Sequence, residues 1–207
     1  MNIFSRRTVL AATMSLGLAA PAFALPQLGQ PAPDFKALDA QGHERSLSEF
    51  SGRPVVLEWT NSGCPYVGKH YESGTMQSLQ KKETADGVVW LTVSSSAPDT
   101  QGYFTAPTAR SWAAKERWSG TAILLDSAGK IGREYGAKNT PHMFVIDKTG
   151  RIAYMGGIDD RPYADPASLK GAKPYVALAL ADLKAGRPVA TPISKPYGCS
   201  VKYNSAD

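Results

Sequence analysis

Cys64 is the residue of this chain best placed to do chemistry. It follows an apolar, β-branched run at residues 54–60, typical of a buried strand, and precedes Pro65 and a predicted helix over residues 65–83. Proline suits the first position of a helix, so Cys64 is expected at or near the helix N-cap. Unpaired backbone N–H groups and the helix dipole favour a thiolate there. The sequence therefore indicates a reactive thiol, and the alternative is a small, inert cysteine of the core.

The elements that must position Cys64 alternate along the chain. Buried strands are predicted over residues 54–60, 87–94 and 121–125. Helices are predicted over residues 65–83, 105–118, 130–135 and 174–184, and a hairpin over residues 143–154. This order predicts an α/β fold, with a central mixed sheet flanked by helices in one domain, residues 25–207.

Two stretches of the chain resemble the thioredoxin-like fold. They are residues 59–65 and residues 140–150, the second of which begins with Thr-Pro-His. The Ala-Pro-Asp-Phe at residues 32–35 and the run at residues 52–57 look like its redoxin branch, the alkyl-hydroperoxide-reductase and thiol-specific-antioxidant proteins. The resemblance covers roughly residues 28–186 and implies a thioredoxin-like fold with an N-terminal redoxin extension.

The resemblance assigns roles to three residues besides Cys64. Pro141 matches the cis proline that faces the active cysteine in this family, and the backbone of Thr140 would pair with an incoming peptide or a disulfide partner. Glu58 matches a buried acid that relays protons to the thiol, and burial would raise its pKa. The alternative for Glu58 is a position at a polar edge of the strand.

Further residues become candidate substrate-binding groups through their neighbours. They are Asn61, Pro65, Tyr66 and His142. Tyr66 beside Cys64 is expected to line a substrate groove, and Asn61 is a candidate donor to a bound peroxide. His142 follows Pro141, and two placements are open for it. Its ring either lies near the thiol, where it could polarise the thiol or bind a metal, or points away along its strand.

The chain departs from the family patterns at the motif itself. Thioredoxin-type reductases use Cys-x-x-Cys, whereas Val67 occupies the second cysteine position here. Peroxiredoxins use Pro-x-x-x-Thr-x-x-Cys, whereas this chain has Leu57 and Asn61 at the proline and threonine positions. The copper proteins of this fold need two close cysteines, so no metal and no cofactor are expected. A thiol peroxidase and a non-catalytic redox-sensing or copper-binding module stay open as alternatives.

Residues 1–24 are interpreted as an export signal. Arg6 and Arg7 precede a weakly apolar run, and an Ala-x-Ala series ends at Ala24, so the mature chain is expected to begin at Leu25. The adjacent arginines favour the twin-arginine route to a bacterial periplasm. A membrane anchor is the weaker alternative, because prolines interrupt a segment already short for a bilayer, and no stable membrane insertion is expected after removal.

Cys199 is the second of the two cysteines and lies in a tail, from about residue 187, that looks irregular. A flexible tail can bring a resolving cysteine back to Cys64, and an oxidising compartment favours pairing over an exposed lone thiol. An intramolecular disulfide between Cys64 and Cys199 is therefore predicted. A free surface thiol and a bridge between chains are the alternatives.

Composition and charge limit the classes of protein and partner that fit this chain. The chain has 207 residues, 43% of them hydrophobic and 20% charged, which is typical of a globular protein. The net charge of +5 is not gathered into a block, so no nucleic-acid partner is expected. The sequence thus predicts a periplasmic thiol–disulfide oxidoreductase of the redoxin type, with a thiol or disulfide protein or a small hydroperoxide as its partner.

Overall fold

The computed structural model describes residues 25–204, so the predicted signal at residues 1–24 lies outside the described part. The strands are β1 Lys36–Leu38, β2 Glu44–Ser46, β3 Val55–Trp59, β4 Val89–Ser94, β5 Ala122–Leu125, β6 Asn139–Thr140, β7 His142–Ile146, β8 Ile152–Gly156 and β9 Cys199–Ser200. The helices are α1 Pro65–Glu72, α2 Thr75–Ala85, α3 Ala106–Lys115, α4 Lys130–Glu134 and α5 Tyr175–Lys184. Within these residues no helix is long and apolar enough to cross a bilayer.

A five-stranded mixed sheet in the order β5-β4-β3-β7-β8 forms the centre of the molecule. β3 runs parallel to β4, and β4 parallel to β5, whereas β7 pairs antiparallel with both β3 and β8. Every residue of β3 and β4 is buried, because both faces of the sheet are covered. The predicted fold class is confirmed.

Two apolar layers cover the sheet. The layer that includes Cys64 receives residues from α1, α2, α3 and α5, such as Val67, Met76, Trp112 and Val176. The opposite layer is filled by the N-terminal segment and α4, with Trp59 and Phe144 of the sheet at its centre. The strands supply both layers, because successive side chains of a strand point to opposite faces.

The N-terminal extension forms a small hairpin of β1 and β2. Its turn is built on Asp39, whose carboxylate accepts the backbone N–H groups of Gln41 and His43 at 2.8 and 2.9 Å. The backbone N–H of Ala40 donates to Ile123 of β5, which ties the hairpin to the sheet.

The structure departs from the sequence expectation in two places. The helix predicted over residues 65–83 is divided into α1 and α2, because Gly74 adopts a left-handed conformation with φ of 74° at the start of α2. The tail predicted to be irregular contains β9, which pairs antiparallel with β6.

Candidate active site

Cys64 caps the N-terminus of α1, and Pro65 follows at the first position of the helix. Its carbonyl accepts the backbone N–H groups of Val67 and Gly68, so the helix begins directly at the cysteine. The side chain is only 2% exposed. The strand β3, the short loop after it and the N1 proline together place the thiol at the positive end of a helix.

The segment before β7 lies against the thiol. The Thr140–Pro141 peptide bond is cis, as the resemblance implies. The Sγ of Cys64 lies 3.1 Å from the carbonyl oxygen of Thr140, to which the protonated thiol donates. Thr140 and Pro141 are therefore in the predicted place beside the cysteine.

Cys199 is brought to the same place by β9. In the antiparallel pairing of β6 and β9, Cys199 is the register partner of Thr140. Each thiol affects the pKa of the other, and both cysteines are free. β9 therefore places Cys199 beside Thr140, against which the Cys64 thiol lies, while the predicted disulfide between the two cysteines stays a prediction.

The two thiols have pKa values shifted in opposite directions. Burial raises the pKa of Cys64, but the side chains of Cys199 and Thr140 stabilise its thiolate and outweigh burial, so the pKa lies below that of a free thiol. Burial, followed by the hydrogen bond and negative charge of Cys64, raises the pKa of Cys199 to about 12. A proton removed from the pair therefore leaves Cys64 as the thiolate and Cys199 as its donor.

Glu58 lies at the centre of a buried hydrogen-bond network. Glu58 is 0% exposed, so it does not lie at a polar edge of the strand, which was the alternative. Burial raises the pKa of its carboxyl. The side chains that donate to its two oxygens are those of Tyr71, Gln80, Trp90 and Thr92, at 2.8 to 3.2 Å. None of these donors is Cys64, so the structure does not bring the carboxyl into contact with the thiol.

The other predicted substrate-binding residues have different surroundings. Asn61 is buried and braces a loop, because its side chain donates to the carbonyl of Gln101 and accepts from the N–H of Gly63. Pro65 is exposed beside the thiol. Tyr66 is half-buried, and its ring lies 6.0 Å from the ring of Tyr197 in the tail.

Of the two placements that the sequence allowed for His142, the structure shows the one that points away from Cys64. Its ring packs 4.7 Å from the ring of Phe144, in the layer on the opposite face of the sheet. Burial lowers the pKa of His142 to about 4, so it is a neutral imidazole, and its Nδ1 accepts the N–H of Lys138. The physical reason is strand alternation, which directs the next residue, Met143, toward the layer of Cys64.

A buried polar cluster beside the tail was missed by the sequence analysis. The Tyr197 hydroxyl donates to Asp159 at 2.5 Å and lies 3.2 Å from Nε2 of His70, while the Lys69 ammonium stands 4.8 Å from the Tyr197 ring centre. Burial, with the charge of Lys69 added, lowers the pKa of His70 to about 3. The only sequence signal was the proximity of Tyr197 to Cys199. Among residues 25–204, no group of three His, Cys, Asp or Glu side chains is arranged to hold a metal ion.

Comparison with known proteins gives a consistent picture. The profile of the AhpC/TSA family matches residues 28–155. The thiol-disulfide oxidoreductase ResA of Geobacillus kaustophilus is 29% identical over 133 residues, which cover 60% of this chain and 66% of that protein, just under two thirds of its length.

Two solved structures share the fold. A hypothetical protein from Sinorhizobium meliloti superimposes with a TM-score of 0.74 at 23% identity, covering 87% of this chain and 96% of the other. The peroxidoxin BcpB of Mycobacterium tuberculosis has a TM-score of 0.55 at 21% identity, covering 78% and 99%. At these identities the likeness establishes the architecture.

Proposed function

Because the chain belongs to the AhpC/TSA family, we propose that it is a thiol–disulfide oxidoreductase in which Cys64 attacks and Cys199 resolves. The observation that supports this proposal is the pairing of β9 with β6, which brings Cys199 to Thr140, the residue that the Cys64 thiol contacts. The similarity to ResA supports the same class of reaction.

In the first step the Cys64 thiolate attacks one sulfur of a partner disulfide. A bond forms between Cys64 and that sulfur, the partner's own S–S bond breaks, and its other sulfur leaves as a thiolate. The lowered pKa of Cys64 supports this role. We place the partner's backbone against Thr140, where it takes the position of β9, with Pro141 shaping the turn and with Pro65 and Tyr66 beside it.

In the second step Cys199 loses its proton and attacks the Sγ of Cys64, releasing the partner's remaining sulfur as a thiolate. Part of the raised pKa of Cys199 comes from the negative charge of Cys64, and the mixed disulfide removes that charge. Cys199 therefore becomes easier to deprotonate when it is needed. The balance is one partner disulfide reduced to two thiols and one Cys64–Cys199 disulfide formed.

Glu58 is proposed as an indirect proton acceptor. Val56, two residues before it on β3, packs in the layer of Cys64, so Glu58 faces that same layer. A buried carboxyl with a raised pKa can exchange a proton near neutral pH. Since its hydrogen-bond partners are other side chains, the proton would pass to Cys64 through water.

A thiol peroxidase is the second candidate, favoured by the match to a family that includes thiol-specific antioxidants. Here the Cys64 thiolate would attack hydrogen peroxide, forming a sulfenic acid and releasing hydroxide. Cys199 would then condense with the sulfenic acid to form the disulfide and water. Both candidates end in the same bridge, and the oxidant distinguishes them.

Equimolar glutathione disulfide is expected to convert the reduced protein to a monomer with a Cys64–Cys199 bridge. Cys199 is the register partner of Thr140, which the Cys64 thiol contacts, so the resolving thiol lies within the same chain and the same site. Non-reducing mass spectrometry should find one linked peptide pair that contains both cysteines. Dimers bridged through Cys199 would contradict the resolving role, and bridging by hydrogen peroxide alone would favour the peroxidase.

We further propose export to the periplasm under the direction of residues 1–24. N-terminal sequencing of the protein recovered from the periplasm of a bacterial host should begin at or near Leu25. A matched variant with both Arg6 and Arg7 replaced by lysine should stay unprocessed if the twin-arginine route is used. Full-length protein that keeps Met1 in the cytosol would argue against export.

A further inference from the structure

The C-terminal segment 197–201, here called the strap, covers Cys64. β9 lies within it and occupies the edge of β6, and Cys64 beneath is only 2% exposed. At Gly198 the backbone passes so close that an added Cβ would lie 2.1 Å from the carbonyl oxygen of Thr140, and its φ is 118°. Glycine is thus required where the strap crosses the active site.

A side chain holds the strap at one end of β9 and a backbone hydrogen bond holds it at the other. At the near end Tyr197 is 8% exposed and donates its hydroxyl to the buried carboxylate of Asp159, beside His70. At the far end the N–H of Val201 donates to the carbonyl of Lys138 at 3.0 Å. Tyr197 is the stronger anchor, because a hydrogen bond to a buried charged group contributes more than one between neutral groups.

Resting on the proposed function, we propose that Tyr197 is a positioning residue that clamps the strap through Asp159. The clamp holds Cys199 against Cys64 and closes the thiol to external reagents until the strap detaches. It has two opposite consequences for reactivity. Docking speeds the internal attack of Cys199 on Cys64, since the two sulfurs are held in reach. It also slows any reagent from solution, since only the opened fraction of molecules exposes Cys64.

The Tyr197→Phe variant tests the proposed clamp. It removes only the hydroxyl and keeps the ring, which contacts Tyr66 and Lys69. Loss of one buried hydrogen bond to a carboxylate should raise the opened fraction about tenfold. Alkylation of Cys64 by iodoacetamide, followed by peptide mapping at the pH-independent plateau, should therefore become about tenfold faster. In a mixed disulfide of Cys64 with glutathione the bound partner holds most molecules with the strap detached, so the docked fraction sets the rate of attack by Cys199, and this rate should fall about tenfold in the variant.

Tyr135→Phe is the matched control. Tyr135 is also a buried tyrosine, and its hydroxyl donates at 2.7 Å to the carbonyl of Pro33 in the N-terminal segment, not to a residue of the strap. This variant loses a comparable hydrogen bond and should match the wild type in both measurements. In Gly198→Ala the added methyl group meets the carbonyl of Thr140, so the backbone of the strap cannot dock. This variant should shift both measurements in the same direction as Tyr197→Phe.

Two measurements on Tyr197→Phe decide the matter, the alkylation of Cys64 and the attack of Cys199 on Cys64. The inference is overturned if either one lies within about twofold of the value for the wild type and for Tyr135→Phe. It is also overturned if Gly198→Ala leaves both unchanged. A wild-type protein that forms no Cys64–Cys199 bridge with glutathione disulfide would instead refute the proposed function. If the wild type forms the bridge normally and Tyr197→Phe behaves like the wild type, only the proposed clamp is refuted.

Discussion

Serine in place of Cys64 is expected to slow disulfide reduction by on the order of 10³-fold or more, because a hydroxyl cannot replace the thiolate nucleophile. In the wild type the rate should follow the thiolate fraction of Cys64. Since its pKa is lowered, the rate should fall as the pH drops through a midpoint below that of an ordinary cysteine thiol. The measurement is the stopped-flow rate of reaction with a peptide disulfide between pH 5 and pH 10.

Cys199→Ser is the matched control for that experiment. It should retain the first step and accumulate a mixed disulfide between Cys64 and the peptide, which mass spectrometry detects, because the resolving thiol is absent. In a Cys199→Ala variant, which has no side-chain donor at this position, the midpoint should move to higher pH, since the Cys199 side chain helps to lower the pKa of Cys64. Full activity in Cys64→Ser, with loss of the first step in Cys199→Ser, would reverse the two roles.

Leucine in place of Glu58 is expected to lower the free energy of unfolding by on the order of 4 kcal/mol. The change leaves buried donors of Tyr71, Gln80, Trp90 and Thr92 without an acceptor, each at a cost of about 1–3 kcal/mol. Relief from burying the carboxyl offsets part of this cost. Urea unfolding of the reduced protein, with the midpoint and slope compared to wild type, measures the effect.

Glu58→Gln separates stability from proton transfer. Its amide oxygen can accept from Trp90, Gln80 and Thr92, while its NH₂ group can donate to the Tyr71 hydroxyl, so we expect less than half the destabilisation of the leucine variant. If Glu58 relays protons, the pH profile of Cys64 alkylation should change in this variant. An unchanged profile would reduce Glu58 to a structural acceptor, and equal destabilisation by both variants would refute the network argument.

Glu58 also carries the pH dependence of stability that burial implies. Its folded pKa is raised, so the stabilisation is complete below the unfolded pKa and is lost as the pH rises through the folded pKa. Subtracting the Glu58→Gln stability curve from that of the wild type isolates this contribution.

The local surroundings of Cys64 could be predicted from sequence because they depend on neighbours in the chain. The β-branched run of β3 predicts a buried strand, and Pro65 marks the first position of α1. The order of strands and helices predicts a sheet covered on both faces. The division of α1 from α2 at Gly74 was not predicted, since a glycine within a helical pattern does not show whether it will break the helix.

The face of His142 depended on register. Its neighbour Pro141 lies beside the thiol, but the pairing of His142 with Trp59 across β3 and β7 determines which layer receives each side chain. A shift of one residue would exchange the two layers. The sequence allowed both orientations, and only the sheet selected the one that packs His142 on Phe144.

The sequence by itself determined the presence of a thiol at a helix N-terminus on a redoxin scaffold, because short-range signals specify that unit. Only the tertiary structure decided that Cys199 lies against Cys64 and that Tyr197, Asp159 and His70 surround the anchor of the strap. The physical reason is that β9 is two residues long and pairs through backbone N–H and C=O groups, which every residue type except proline carries in full. No side-chain pattern in the tail could therefore identify its partner strand, and the contacts that position it join residues far apart in the chain.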